Sequence, residues 1–460
     1  MNWHVASTVL LTSALVSLAW CQELAPTVEI EEPIYSWVDS QNGSFPQWTY
    51  GSTVLVRVGE DLLLSATETI PDQIPLENCR WVLMQRTDEG WVEVNRERKE
   101  RTREPSPLCA FADGRVFMSV NPTLGTPDQS SAPAHPQILQ FSSADPGADP
   151  QVLEPVFVED AQFSNHSYRG FGCDPGRGEL LLVNVEAYRG QHWSFCDAAG
   201  EWSSHGIVDF PSYDSFKGPL PMRYLYPQVA MRNGAAHVFT KGGLEDIDEA
   251  RHKYREEHKI GIWLRPSLGY CWSPDIATQP LSEWIPAVDV IEQAGETWNC
   301  DLYVDAAGDA HLLWWEASID ARLRPAFFAD VPYTKALKHG IMREGRMVFS
   351  ETLVEGGEGL QPETPVWGCF HVAPGDRLFV YYSLSGPGGS DHPGTTNWLT
   401  ELKPGGGHSE PVQVPLQHPL GMLFMSTRPG GSPPSNVLEL AGRPVDVPLT
   451  INYARVRLFD

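Results

Sequence analysis

The chain is short of positive charge. Its 33 Lys and Arg stand against 59 Asp and Glu, a formal charge of −26. No broad basic patch is present, which argues against a nucleic-acid partner. Metal-ligand spacings are missing too: there is no CxxC and no HxxxH, so no metal and no cofactor is expected, with a structural divalent ion left open. Eight cysteines become seven if the leader ends at Cys21, and an odd number does not make a complete disulfide framework. Apart from Val9 to Trp20 no long apolar run occurs, and that run is too short for an ordinary transmembrane span.

The same run, followed by Ala19-Trp20-Cys21, reads as a signal peptide over residues 1–21. Secretion or periplasmic export is the expectation, with a lipid anchor at Cys21 as the alternative. Residues 22–50 are rich in Pro, Glu and Ser and read as a surface segment. Residues 51–460 read as one all-β domain without a linker between two cores, and a monomer is expected.

What the chain has is a repeated unit of strand, tight turn and strand. Its clearest copy is YPQVAMRNGAAHVF (Tyr226 to Phe239). Asn233-Gly234 favours a two-residue hairpin because both residues accept positive φ. Related units carry the turn glycines Gly114, Gly178, Gly308 and Gly375, and with Gly234 the spacings are 64, 56, 74 and 67 residues. β units at such a period predict a β-propeller, seven blades in preference to six. The alternating tail INYARVRL predicts a strand that closes the ring with the N-terminus. Cys109, Cys173 and Cys369 share nearly one slot of the first strand and read as small core residues near the axis. LEDIDEARHKYREEHK (Leu244 to Lys259) lacks Gly and Pro and reads as a helical insert, either a lid or an ornament.

In a propeller the first strand of every blade lines the channel, so equivalent offsets converge. Ten residues before the turn glycines stand Glu104, Tyr168, Tyr224, Trp298 and Pro365. Around them lie Arg103, His166, Arg169, Arg223, Tyr226, Asn299, Asp301, Glu363 and Trp367, and the tail adds Arg428. The basic run NRERKERTREP would bring Arg101, Arg103 and Glu104 to the mouth. Polar groups between aromatic walls suit a sugar, whose hydroxyls take hydrogen bonds and whose ring faces stack. Structural duties compete for each residue: an ion pair for Arg103 and Glu104, bracing for Arg223 and Arg428, core packing for Trp298 and Trp367. Asn165-His166-Ser167 is also a glycosylation sequon.

NHSYRGF, YPQVAMRNGAAHVF, WNCDLYVDAAGDAHLLWW and STRPGGSPPSN…INYARVRL give the chain its resemblance to the BNR-repeat, sialidase-like β-propeller superfamily, over most of residues 50–458. FCDAAGEW (Phe195 to Trp202) resembles the Asp-box turn of that superfamily, with its glycine one place late and no Ser or Thr. The resemblance implies a polysaccharide or oligosaccharide partner and two chemistries. A uronate lyase would neutralise the carboxylate with Arg169 or Arg223 and move protons with His166 and with Tyr168 or Tyr226. A sialidase-like hydrolase would use Arg103, Arg223 and Arg428, a Tyr226 nucleophile assisted by Glu363, and Asp301 as acid. Glu104, Trp298, Asn299 and Trp367 would bind substrate in either case. A non-catalytic glycan- or protein-binding propeller is the third reading, because fold does not fix function.

Overall fold

The computed structural model describes residues 23–459 apart from 45, 47, 49–51, 74–77, 100, 127, 130 and 387–393. The expected signal segment, 1–21, lies outside the described residues.

The strands form a seven-bladed β-propeller. The inner strands are, in order, Leu55–Val58, Leu108–Ala110, Arg169–Asp174, Arg223–Arg232, Glu296–Val304, Thr364–Ala373 and Leu420–Met425. In blades 1 to 6 the following strands pair outward in chain order, all antiparallel. No helix among the described residues is long and apolar enough to cross a membrane.

Local turn chemistry sets the blades. Asn233 (φ 54°) and Gly234 (φ 84°) both occupy the left-handed region, as a two-residue hairpin turn requires. The Asn233 N–H also donates to Asp174 Oδ2 at 2.6 Å, which ties blade 4 to blade 3. Two Asp-Ala-Ala-Gly segments fold alike in different places. Asp197 Oδ1 accepts from Ala199 N at 2.9 Å and Glu201 N at 3.1 Å. Asp305 Oδ1 accepts from Ala307 N and Asp309 N, both at 2.9 Å. The first turn joins the outer two strands of blade 3, as an Asp-box would; the second joins the inner two strands of blade 5.

The ring closes as the tail predicts. Thr450–Arg457 pairs antiparallel with Thr27–Ser36, which becomes the outer strand of blade 7. Residues 27–36 are therefore part of the sheet and not a loose surface segment. Their acids disguise them: Glu29 pairs with Arg455 at 3.2 Å and Arg457 at 2.9 Å across the strands. Pro33 sits at a register shift on this edge strand, where no ladder donor is needed.

Most of the core lies between neighbouring blades, and the channel itself is filled from below. The loop after the inner strand of blade 7 enters it, with Pro429 O accepting from Cys173 N and Gly430 O from Ala110 N, both at 2.9 Å. Gly431 has φ +92°, and a Cβ there would lie 1.9 Å from Ala110 O, so only glycine fits. Cys109 and Cys173 flank this loop, and all seven described cysteines are buried free thiols.

The helical insert forms over Glu249–Glu257, capped by Asp248, whose side chain accepts from Arg251 N at 2.8 Å. It is anchored from beneath. Asp246 is fully buried and accepts from Arg251 Nε and Arg255 Nε, each at 3.0 Å. Arg255, also fully buried, reaches Asp320 at 2.8 Å. These pairs make the insert a fixed part of the rim.

Candidate active site

The starts of the inner strands, the turns between second and third strands and the links between blades share one face, because successive strands alternate in direction. Arg103 and Glu104 arrive on the link into blade 2, His166 and Tyr168 on the link into blade 3. The Arg103 guanidinium joins the Glu104 carboxylate and His166 Nδ1, and also donates to Asn42 O at 2.6 Å. A guanidinium can only donate, so Nδ1 is the acceptor and the neutral ring carries its proton on Nε2. That proton is donated to Tyr168 Oη, 3.1 Å away. Burial of the ring and then the charges of Arg103 and Arg223 push the His166 pKa down to about 4.

From Tyr168 a row of rings crosses the bowl. Tyr168 and Tyr226 lie 4.1 Å apart between centroids, Tyr226 and Trp298 stack at 6.0 Å, and Trp298 and Trp315 stack at 6.0 Å. Trp48 meets Tyr226 edge-on. Two lysines lie over the row. Lys241 Nζ is 3.4 Å from the Trp298 centroid and 4.7 Å from that of Tyr226, and Lys335 Nζ is 3.5 Å from that of Trp315. Burial holds the Lys241 ammonium well below the usual lysine range, with Arg265 repelling it further. Burial brings Lys335 down to about 8. Tyr226 has φ 58°, unusual for a residue with a side chain and still more so before Pro227. Such outliers persist where the surroundings fix them, and they cluster at working sites.

Arg223 is held differently from the other arginines. Its Nε donates to Ala187 O at 2.8 Å, and its guanidinium carbon lies 4.2 Å from the Tyr188 centroid and 5.2 Å from that of Trp263. Nη1 and Nη2 have no hydrogen-bond partner among the described residues.

The constant offset succeeds in part. It brings together Arg103, Glu104, His166, Tyr168, Trp298 and, close by, Arg223 and Tyr226. It fails where inner strands carry bulges near their starts. The register shifts between Leu225 and Gln228, between Asn299 and Asp301, and between Pro365 and Trp367. An extra residue reverses which side chains face the axis. Tyr226 thus joins the row, while Tyr224 packs outward on Trp284. Asn299 braces blade 4 by donating to Tyr226 O at 2.9 Å. Asp301 accepts from Leu302 N at 2.8 Å and Phe370 N at 2.7 Å inside the ring, and burial raises it to about 7. Trp367 is buried in the core. Glu363 stays half-buried in the link into blade 6. Arg169 is buried beneath the bowl and donates to Glu104 O at 3.1 Å and Pro105 O at 2.9 Å; burial lowers it to about 9. Arg428 is placed away from the bowl, beside Asp174 and Arg232 at the opposite mouth, because it follows its inner strand and does not precede it. Asn165 is buried, so the sequon offers no accessible amide for a glycan.

Lys241, Lys335 and Trp315 escape the sequence reading. They come from second and third strands, where an inward side chain looks like ordinary blade core.

No protein-family model matches the chain, and no curated protein matches it. Solved structures do. A Penicillium chrysogenum alpha-L-arabinanase complexed with arabinobiose is similar over 94% of this chain and 98% of its own, with 12% identity and a TM-score of 0.47. The polysaccharide lyase Uly1 is similar over 94% and 100%, with 11% identity and a TM-score of 0.49. The GH93 alpha-L-arabinofuranosidase of Fusarium graminearum in complex with arabinobiose is similar over 94% and 98%, with 10% identity and a TM-score of 0.42.

Proposed function

We propose that the chain is an exported enzyme that cleaves a uronate-containing polysaccharide by β-elimination. The observation that carries this reading is the chain of hydrogen bonds from Arg103 through His166 to Tyr168, beside an arginine whose two terminal nitrogens have no hydrogen-bond partner among the described residues. Arg223 takes the uronate carboxylate on that fork, which acidifies the proton on the adjacent carbon. Tyr168, as phenolate, removes that proton. The electron pair forms the new double bond and the bond to the leaving glycosidic oxygen breaks. Tyr168 then returns the proton to that oxygen on the same face. The His166 N–H holds the negative charge on the phenol oxygen, and Arg103 fixes the tautomer that makes this possible. His166 is on this account a positioning residue. Tyr226, Trp298 and Lys241, all buried, back the wall against which the sugar lies.

The alternative hydrolase set finds less support. Asp301, its acid, is already committed to two backbone N–H groups, and Arg428 lies at the other mouth. Incubation with uronate polymers separates the two chemistries: elimination yields an unsaturated, ultraviolet-absorbing product, while hydrolysis yields reducing ends without it. Oligosaccharides that bind and come back unchanged would select the binding-module reading.

The pH profile is a second test. His166 titrates below its ordinary value, so the ring is neutral at every pH above about 4. Protonation of His166 is therefore expected to add no acid limb in the ordinary histidine range near pH ~6.5, and the loss it brings is expected only around pH 4. There a second ring proton, on Nδ1, would face the Arg103 guanidinium. An acid limb centred on the ordinary histidine value would contradict this role.

A further inference from the structure

We propose that Tyr188 and Trp263 form a sugar-stacking subsite beside Arg223, so that the enzyme binds its polymer over several units and not by one ring alone. The inference rests on the lyase reading and deepens it. Both rings belong to the small set of large hydrophobic side chains left in solvent, Tyr188 at 63% and Trp263 at 39% exposure. Both contact the Arg223 guanidinium, which the Ala187 carbonyl holds in place. An exposed aromatic ring next to a cation whose Nη1 and Nη2 have no hydrogen-bond partner among the described residues matches a sugar acid, which offers a flat C–H face to the ring and a carboxylate to the fork. In a chain with a charge of −26 this is also a place where an anionic polymer meets local positive charge.

A route onward exists. Trp263 forms one wall of a cavity of about 330 Å³, near the lower end of ligand-sized pockets (about 300–1,000 Å³). Its other walls include Arg265, Glu296, Asp320 and Arg322. Arg265 lies 5.2 Å from the Trp298 centroid and pairs with Glu296 at 2.8 Å, so the cavity abuts the aromatic row. The anchored helix fixes its far side, because Arg255 holds Asp320. A polymer with one carboxylate on Arg223 would lay its next unit on Trp263 and the following one into this cavity. Arg265 and Arg322 supply hydrogen-bond donors there, and Glu296 and Asp320 supply acceptors for hydroxyls.

The test uses full-length protein made inactive by Tyr168→Phe, with and without Tyr188→Ala and Trp263→Ala together. Binding of defined uronate oligosaccharides, from disaccharide to octasaccharide, is measured by calorimetry, with thermal melting as the folding control. The expected result is a clear gain in affinity with length for the parent. The ratio of octasaccharide to disaccharide affinity should fall about tenfold once both rings are gone. An unchanged ratio overturns the subsite while leaving the lyase reading standing. No binding of any uronate oligosaccharide at any length overturns both.

Discussion

Tyr168→Phe should lower kcat/KM on a uronate polymer by about a thousandfold, within the range of about 10²–10⁴ for a lost proton-transfer group. The change deletes one oxygen and keeps the ring that packs at a tilt on Tyr226, so folding and substrate affinity should hold while turnover collapses. Substitutions at His166 refine the assignment. Gln offers an N–H donor to Tyr168 and Ala offers none, so His166→Gln should retain more activity than His166→Ala. It should also lose the acid limb near pH 4 that the imidazole imposes. A Tyr168→Phe enzyme within tenfold of the parent would remove Tyr168 from the chemistry.

The second large effect concerns stability. Asp246→Ala should destabilise the fold by about 3–5 kcal/mol, the usual cost of breaking a buried ion pair from one side. Asp246 accepts from two arginines at once, and Arg255 is itself fully buried. Removing the carboxylate strands positive charge beneath the helix Glu249–Glu257. The shift of the urea midpoint reads the effect directly. Cleavage of short substrates should suffer less than binding of long ones, because the anchored helix backs the cavity and not Tyr168. A loss under about 1 kcal/mol, the size expected of an exposed pair, would show that the insert is not anchored as described.

Architecture was legible in the chain because its signals are local. Asn233-Gly234 demands a particular turn wherever it occurs, and the two Asp-Ala-Ala-Gly segments adopt the same hydrogen bonds in different blades. The partner of the closing strand was hidden, because Glu29 and Glu31 look like solvent-facing charge until their contacts are seen. Glu29 meets two arginines across the strands, and Glu31 accepts from Gln417 N at 2.8 Å and His418 N at 2.6 Å.

Half of the bowl was legible for the same reason that the blades were. His166, Tyr168 and Arg103 precede unbulged strand starts, and counting back from the turn finds them. The count keeps Trp298 but lands on Tyr224, which packs away from the bowl, and the neighbours Asn299 and Trp367 also turn from it; the strands of all three carry a register shift that nothing in the residue types announces. Lys241 and Lys335 could have been suspected, since a lysine within a buried strand is costly unless something holds it. What holds them, the faces of Trp298 and Trp315, comes from other segments of the chain.

The most direct measurement is a crystal structure of the Tyr168→Phe protein with a uronate tetrasaccharide bound. The account predicts one carboxylate on the Arg223 fork, with the adjacent carbon next to the place of the missing phenol oxygen. A sugar bound at the opposite mouth beside Arg428, or one whose carboxylates avoid Arg223, would contradict it.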